Sequence, residues 1–291
     1  MQVISSKDNE IIKNIRKLKE KKYRDLENAY LIEGIKIVKE AIAENAKIRQ
    51  IIMCEDFTDN VELDKDTLYE LARHNLIYVT RNIMDSLSDV KTPQGIIGVV
   101  EKSKRFAEED NDENKSKNNI DAETNMLGNK TGIEPKVDYT QDIIIALDGV
   151  QDPGNLGTII RTADSANLNQ IIISKTSADP YNPKVVRSTM GAIFRVNIIE
   201  TENIVEELKK AQENGFKVMV TALDSSESIY KTEFNKKVIV IGNEANGVSK
   251  EVQSIADEKV KIPMLGKTES LNASIAAGIM IYEYVRRKIK E

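Results

Sequence analysis

Five polar residues carry the chemistry this sequence could perform: Asn155, Arg161, Glu244, Ser270 and Asn272. A guanidinium suits phosphate or a developing oxyanion, a carboxylate can orient a cation or accept a proton through water, and amides fix loops by hydrogen bonds. Each also has a plain reading. Asn155 could cap the helix it begins, Arg161 could be a surface ion-pair partner, Glu244 could be a turn acid behind a glycine, and Ser270 and Asn272 could be a helix N-cap and its neighbour. What sets them apart is their company: four of the five fall behind apolar strand-like runs in the segments QDPGN, GNEANG and LGKTESLN, and Arg161 lies two turns into the helix that QDPGN opens. Ligands of parallel α/β sheets sit beyond the carboxyl ends of the strands, so one shared site explains the five better than five separate caps and turns.

The residues that are scarce narrow the chemistry further. Cys54 is the only cysteine and His74 the only histidine. An intrachain disulfide, a thiolate metal cluster and a CxxC redox pair are excluded, a Ser-His-Asp triad or multi-histidine metal site is a poor fit, and no metal is expected. Cys54 reads as a core thiol in a strand and His74 as a surface imidazole at a helix end. Phosphate-loop readings fail on their own terms. Gly149 and Gly154 have the right spacing, but Asn155 and Leu156 stand where Lys and Ser or Thr are required; Gly266, Lys267 and Thr268 imitate the tail of that loop, but Lys261 occupies the place of its first glycine. No GxGxxG follows the first strand of the second domain, so an ordinary dinucleotide loop is unsupported.

The elements that must position the five residues divide the 291-residue chain into two domains, 1–102 and 142–291, joined by a polar linker over 103–141 that cannot bury enough apolar surface to order itself. The first domain alternates strand and helix as a small α/β sandwich. It opens on a basic amphipathic helix with Ile11, Ile12, Ile15 and Leu18 on one face and Lys13, Arg16, Lys17, Lys21 and Lys22 around the rest. In a chain of net charge −5, that local excess of cations fits phosphate contact as well as a solvated face. The second domain repeats strand and helix with continuous apolar strands, six in all, the pattern of a parallel sheet covered on both faces. Its last strand is expected over Lys259 to Met264, with Ser270 as N-cap of a final helix rich in small residues, Ala273, Ser274, Ala276, Ala277 and Gly278, that another backbone or a ligand can approach closely. No run approaches a membrane span and the N-terminus lacks the order of a signal peptide, so a cytoplasmic protein is expected.

Three stretches, LDGVQDPGNLGTIIRTADSAN, VIVIGNEANGVS and IPMLGKTESLNASIAAGIMIYE, resemble in order the three motifs of the SpoU/TrmH family of RNA ribose 2′-O-methyltransferases, within the SPOUT superfamily. The N-terminal part, with YLIEGIKIVKEAI, resembles that family's substrate-binding domain of L30e type. The chain departs from the pattern in its long polar insert and in GNEANG, which stands where GNEGxG is usual. The resemblance implies a trefoil-knotted C-terminal domain and a homodimer with its active site at the interface. It implies S-adenosylmethionine held at Gly242, Asn243, Ile262, Met264 and Leu271, with Asn155, Arg161, Glu244, Ser270 and Asn272 as the catalytic surround. It implies methylation of a ribose 2′-hydroxyl in RNA, with 23S-type ribosomal RNA favoured over transfer RNA. A non-catalytic RNA-binding assembly factor is the rival from another class. The absence of cysteine and histidine from the second domain agrees with oxygen methylation run by positioning and electrostatics. Arg161 suits the phosphate or the developing alkoxide, and Glu244 would orient Arg161 or take a proton through water.

Overall fold

The computed structural model describes residues 3–57, 64–102, 136–222 and 225–290. In the first domain β1 (Val3–Ile4), β2 (Ala29–Glu33), β3 (Ile48–Cys54), β4 (Leu76–Val79) and β5 (Ile96–Glu101) form a sheet in the order β1-β4-β3-β5-β2. It is mixed: β3 runs parallel to β4 and antiparallel to β5, and β2 pairs antiparallel to the far edge of β5. Between the strands lie α1 (Glu10–Lys17), α2 (Lys21–Glu27), α3 (Ile35–Ala43), α4 (Lys65–Ala72) and α5 (Arg81–Leu87). Cys54 is buried at the end of β3, and His74 lies half-buried just past α4.

The basic amphipathic run is two helices rather than one. The N–H groups of Leu18, Lys19 and Glu20 bond three residues back, at 2.9 to 3.1 Å, the tight spacing that closes a helix. Arg24 then takes the Leu18 and Lys19 carbonyls with Nη1, at 2.8 and 2.7 Å, claiming acceptors a continuous helix would use.

In the second domain β6 (Ile143–Asp148), β7 (Gln170–Ser174), β8 (Asn197–Thr201), β9 (Lys217–Thr221), β10 (Lys237–Gly242) and β11 (Glu258–Val260) make the six-stranded sheet β11-β9-β10-β6-β7-β8, parallel throughout. Every residue of β6, β7 and β10 is buried, which is why these strands read as unbroken apolar runs. The helices are α6 (Pro153–Ser165), α7 (Pro183–Thr189), α8 (Ile204–Glu213), α9 (Lys250–Ile255) and α10 (Ala273–Lys290). Where α6 crosses α7 the backbones nearly touch: a Cβ on Gly157 would lie 2.4 Å from the Ser188 Cβ, so only glycine fits.

Three expected boundaries move. The strand expected to reach Met264 stops at Val260, with Lys261 in an isolated bridge to Ser228 and Pro263 unable to donate to a ladder. The helix expected over Pro183 to Phe194 ends at Thr189, where Met190 and Gly191 turn left-handed (φ 52° and 93°) before a 3₁₀ turn over Ala192–Phe194. Residues 103–135 of the expected linker lie outside the described residues. Residues 136–141 are tied to the second domain: Gln170 exchanges hydrogen bonds with the Asp138 backbone, Asn197 holds the Lys136 carbonyl, and Lys236 Nζ holds that of Tyr139.

The two domains meet along α2, α3 and β2 on one side and the segment 179–195 on the other. Tyr30 and Tyr181 pack ring to ring at 4.9 Å, and Arg24, 2 % exposed, pairs with Asp179. Among the described residues no helix is long and apolar enough to cross a membrane.

Candidate active site

The site is built at the carboxyl ends of β6 and β10, neighbours at the centre of the sheet. Past β6, Gly149 turns with φ 78°, and its N–H is held by the Ser174 and Ser177 hydroxyls. Asp152 then caps α6 by accepting from Asn155 N at 2.8 Å, with Pro153 at the first helical position, where its missing N–H costs nothing. Past β10, Asn243 and Gly247 exchange backbone hydrogen bonds at 2.9 Å, which folds GNEANG back on itself. Gly242 permits the fold: a Cβ there would lie 2.2 Å from the Gly247 carbonyl carbon and the Val248 nitrogen.

Side chains bolt the loops together. Asn243 Nδ2 donates to the Gly149 carbonyl at 2.8 Å, and Asp148 accepts from Ser249 N at 2.7 Å. Glu244 receives Asn155 Nδ2 at 2.9 Å and the backbone N–H groups of Asp152 and Gln151 at 3.1 and 3.2 Å. Asn272 Nδ2 in turn donates to Asn155 Oδ1 at 2.9 Å. One hydrogen-bonded chain, Asn272 to Asn155 to Glu244, therefore joins three segments more than a hundred positions apart in sequence at its extremes. The Glu244 carboxylate also faces the N-terminus of α6, where anions are favoured. Burial works to raise its pKa, and the hydrogen bonds from Asn155, Gln151 and Asp152 outweigh that, holding it below the usual carboxylate range.

Two expectations change here. Glu244 does not orient Arg161, because its acceptors are spent on Asn155 and the turn before α6. Arg161 lies two turns into α6, exposed and with no hydrogen-bond or ion-pair partner among the described residues. Ser270 is not the N-cap of α10 and stays outside the cluster, exposed; the cap is Asn272, whose Oδ1 accepts from Ser274 N at 2.9 Å and Ile275 N at 3.3 Å. The small face of α10 meets α6: a Cβ on Gly278 would stand 4.0 Å from Thr162 Cγ2, and Tyr282 and Ser165 share a hydroxyl hydrogen bond of 3.1 Å. The sequence reading missed the backbone donors of Gln151 and Asp152, Asp148 as the holder of Ser249, and the Ser174 and Ser177 hydroxyls. Asp148, an acid closing an apolar strand inside the first motif, was the one with a visible signal.

Of the remaining candidates, Ile262, Met264 and Leu271 are half-buried, while Leu265 is fully exposed. Residues 262–271 make no backbone hydrogen bond to the rest of the described chain. The cations of α1 and α2 are mostly engaged: Lys13 pairs with Asp8 and Glu10, Arg16 bonds Ser86, Lys17 bonds Asn14, and Lys21 pairs with Glu200 across the domain boundary. Lys22 is exposed over the Tyr23 ring.

Residues 142–282, which hold every member of this cluster, match the SpoU rRNA Methylase family. The catalytic domain belongs to the SpoU methylase family. Residues 9–98 match the MRM3-like substrate binding domain, so this SpoU methylase is an enzyme with a substrate-binding domain ahead of its catalytic one, as the resemblance of its motifs implied. It is 29% identical over 285 residues to the 23S rRNA (guanosine(2553)-2′-O)-methyltransferase RlmP of Bacillus subtilis, covering 97% of this chain and 98% of that one. It is 29% identical to the 23S rRNA (guanosine-2′-O-)-methyltransferase RlmB of Vibrio vulnificus over 74% of this chain and 79% of the relative. Among solved structures it is similar to an AdoMet-bound rRNA methyltransferase from Sinorhizobium meliloti, with TM-score 0.76, 27% identity and 98% of both chains covered.

The residues present fit S-adenosylmethionine. The backbone of 262–271, with no backbone hydrogen bond to the rest of the described chain, leaves donors and acceptors that could receive a heterocycle and an amino-acid group, and the half-buried Ile262, Met264 and Leu271 could add apolar surface.

Proposed function

We propose that this SpoU methylase methylates a ribose 2′-hydroxyl of 23S-type ribosomal RNA, with S-adenosylmethionine held at Gly242, Asn243, Ile262, Met264 and Leu271. The observation that carries the reading is the Asn272–Asn155–Glu244 chain, which fixes three loops at the start of the helix that carries Arg161, exposed and without a partner among the described residues. When bound, the cofactor supplies an electrophilic methyl group on a sulfonium. The protein's part is alignment and charge. Arg161 holds a phosphate or the oxygen that becomes anionic; a guanidinium hardly deprotonates, so its role is electrostatic. Glu244, saturated by donors, acts as the anchor of GNEANG. Asn155 and Asn272 hold the loops in register. Ser270, exposed on its loop, is placed to meet RNA or a second subunit.

The first domain grips structured RNA by shape and phosphate contact, with Lys22 and the open faces of α1 and α2 as its cations. A homodimer is supported by Ile275, Tyr282 and Ile289, which are 54, 49 and 80 % exposed and spaced seven residues apart along one face of α10. The family's knot has support in the segment between β9 and β10. Its residues Glu227 and Ile229 bond Lys261 on one side, and its Ile229 and Tyr230 carbonyls accept from Arg287 of α10 on the other. A cytoplasmic enzyme is consistent with this reading.

The test is transfer of labelled methyl to unmodified RNA fractionated into ribosomal and transfer species, by wild type and Arg161→Ala. Label in ribosomal RNA, lost in the variant while cofactor affinity is kept, supports the reading. Label in transfer RNA alone overturns the substrate assignment, and loss of cofactor affinity with Arg161 overturns the role given to that residue.

A further inference from the structure

Arg195 stands where the two domains meet, immediately after the turn Ala192–Phe194. Its Nε donates to both oxygens of Asp164 at 3.0 and 3.1 Å, and its Nη2 donates to Asp164 Oδ2 at 2.9 Å. Its Nη1 donates to Glu40 and, at 3.3 Å, to Glu44. Asp164 lies on α6 one turn beyond Arg161, whereas Glu40 lies on α3 and Glu44 caps that helix in the first domain. One planar fork thus spans from the catalytic domain to the substrate-binding domain. The Asp164 hydrogen bonds in particular hold the guanidinium above its usual range, against partial burial. The contact has little slack. Gly191 has φ 93°, and a Cβ there would sit 2.5 Å from Glu40 Cγ. The other ion pairs across the boundary, Arg24–Asp179 and Lys21–Glu200, reach a loop and β8. Among the described ion pairs, Arg195's is the one that ties the first domain to α6.

We propose that Arg195 is a positioning residue for methyl transfer: it sets the offset between the domain that grips RNA and the helix that carries Arg161. Long RNA held by the first domain then presents its ribose at the site only while this clamp is closed. The inference rests on the function given above. Misplacement by about 1 Å can cost about 100-fold in rate without touching either ligand. Three carboxylates left without their shared cation repel one another, so removing Arg195 also pushes α3 away from α6.

The experiment compares wild type, Arg195→Gln, Arg195→Lys, Asp164→Asn and the double variant Arg195→Gln/Asp164→Asn. Each is assayed for kcat and KM on full-length ribosomal RNA, cofactor affinity, RNA affinity and thermal unfolding. Arg195→Gln should keep cofactor affinity within about twofold and lose between about 10-fold and 100-fold in kcat. Arg195→Lys should recover only part of that loss, because a compact ammonium cannot reproduce the fork. The double variant should be no slower than Arg195→Gln, since both changes open one clamp. Wild-type kcat in Arg195→Gln overturns the proposal, and so does a loss of rate that only follows losses of cofactor affinity and unfolding temperature. If wild type itself methylates no RNA, the proposed function falls first, a result distinct from an active wild type indifferent to Arg195.

Discussion

Replacing Asn155 with Asp changes one atom's role at the hub of the site and leaves its size alone. Asn155 Nδ2 donates to Glu244 Oε1 at 2.9 Å, so the variant sets a carboxylate oxygen against a carboxylate oxygen. Two unit charges at that distance repel by about 1.4 kcal/mol in a water-like dielectric and by about 6 kcal/mol at an effective dielectric of 20. Loss of the charge-assisted hydrogen bond adds about 1.5–3 kcal/mol. Glu244 is open to solvent on one side, so the lower ends apply, a total of about 3 kcal/mol. At neutral pH the GNEANG loop should therefore lift from α6, with cofactor affinity falling by about 100-fold. The pair has one way to relieve the strain with the loop in place: a shared proton. That penalty favours the protonated form of the pair, so it raises the pKa of one carboxyl above the usual carboxylate range. A carboxyl raised in the closed state contributes closure that is present at low pH and lost as pH rises through that raised pKa. The variant should therefore bind cofactor better at pH 5.5 than at pH 8. Wild type should be flat over that window, because Glu244 is held below the usual range and its contribution is lost only as pH falls through that depressed value. Titration calorimetry across pH reads both proteins. Wild-type affinity in Asn155→Asp at pH 8, or a loss there that does not recover on acidification, would refute the reasoning.

Three further outcomes follow from the same geometry. Arg161→Ala should lose turnover by about 100-fold or more while cofactor affinity and unfolding temperature stay put, measured by single-turnover methyl transfer beside calorimetry. Gly242→Ala should abolish cofactor binding. Its Cβ would stand 2.2 Å from backbone on the returning strand of the loop and force apart the two Asn243–Gly247 hydrogen bonds, and amide exchange of those two groups would show it. Arg24→Ala strands Asp179 in the domain interface and should cost about 3–5 kcal/mol, read as a lowered urea midpoint.

How far the sequence carried these conclusions depends on the range of each interaction. The six-stranded sheet was legible because β6, β7 and β10 are buried on both faces and therefore apolar at every position. The meeting of QDPGN with GNEANG was legible too, since parallel strands carry their loops to one edge. The choice of cap was not. Ser270 and Asn272 are both cap formers, and what sets Asn272 apart is its hydrogen bond to Asn155 and the burial of Ala273 and Ala277 behind it, tertiary facts. The expected pairing of Glu244 with Arg161 failed for a similar reason: opposite charges suggest a partner, but the nearer donors were an amide and two backbone N–H groups with no local signature. Arg24 and Arg195 read as ordinary basic residues, because partners 155 and 31 positions away leave no mark on the neighbouring sequence.

The central claim is that the loops around Asn155, Glu244 and Asn272 serve transfer to a ribose oxygen. The most direct measurement is the identity of the methylated product, by digesting RNA labelled with this enzyme and cofactor to nucleosides and weighing them. The account predicts a 2′-O-methyl nucleoside from ribosomal RNA, with the added mass on the sugar fragment and alkali-resistant linkage at one position. Added mass on the base fragment would contradict it.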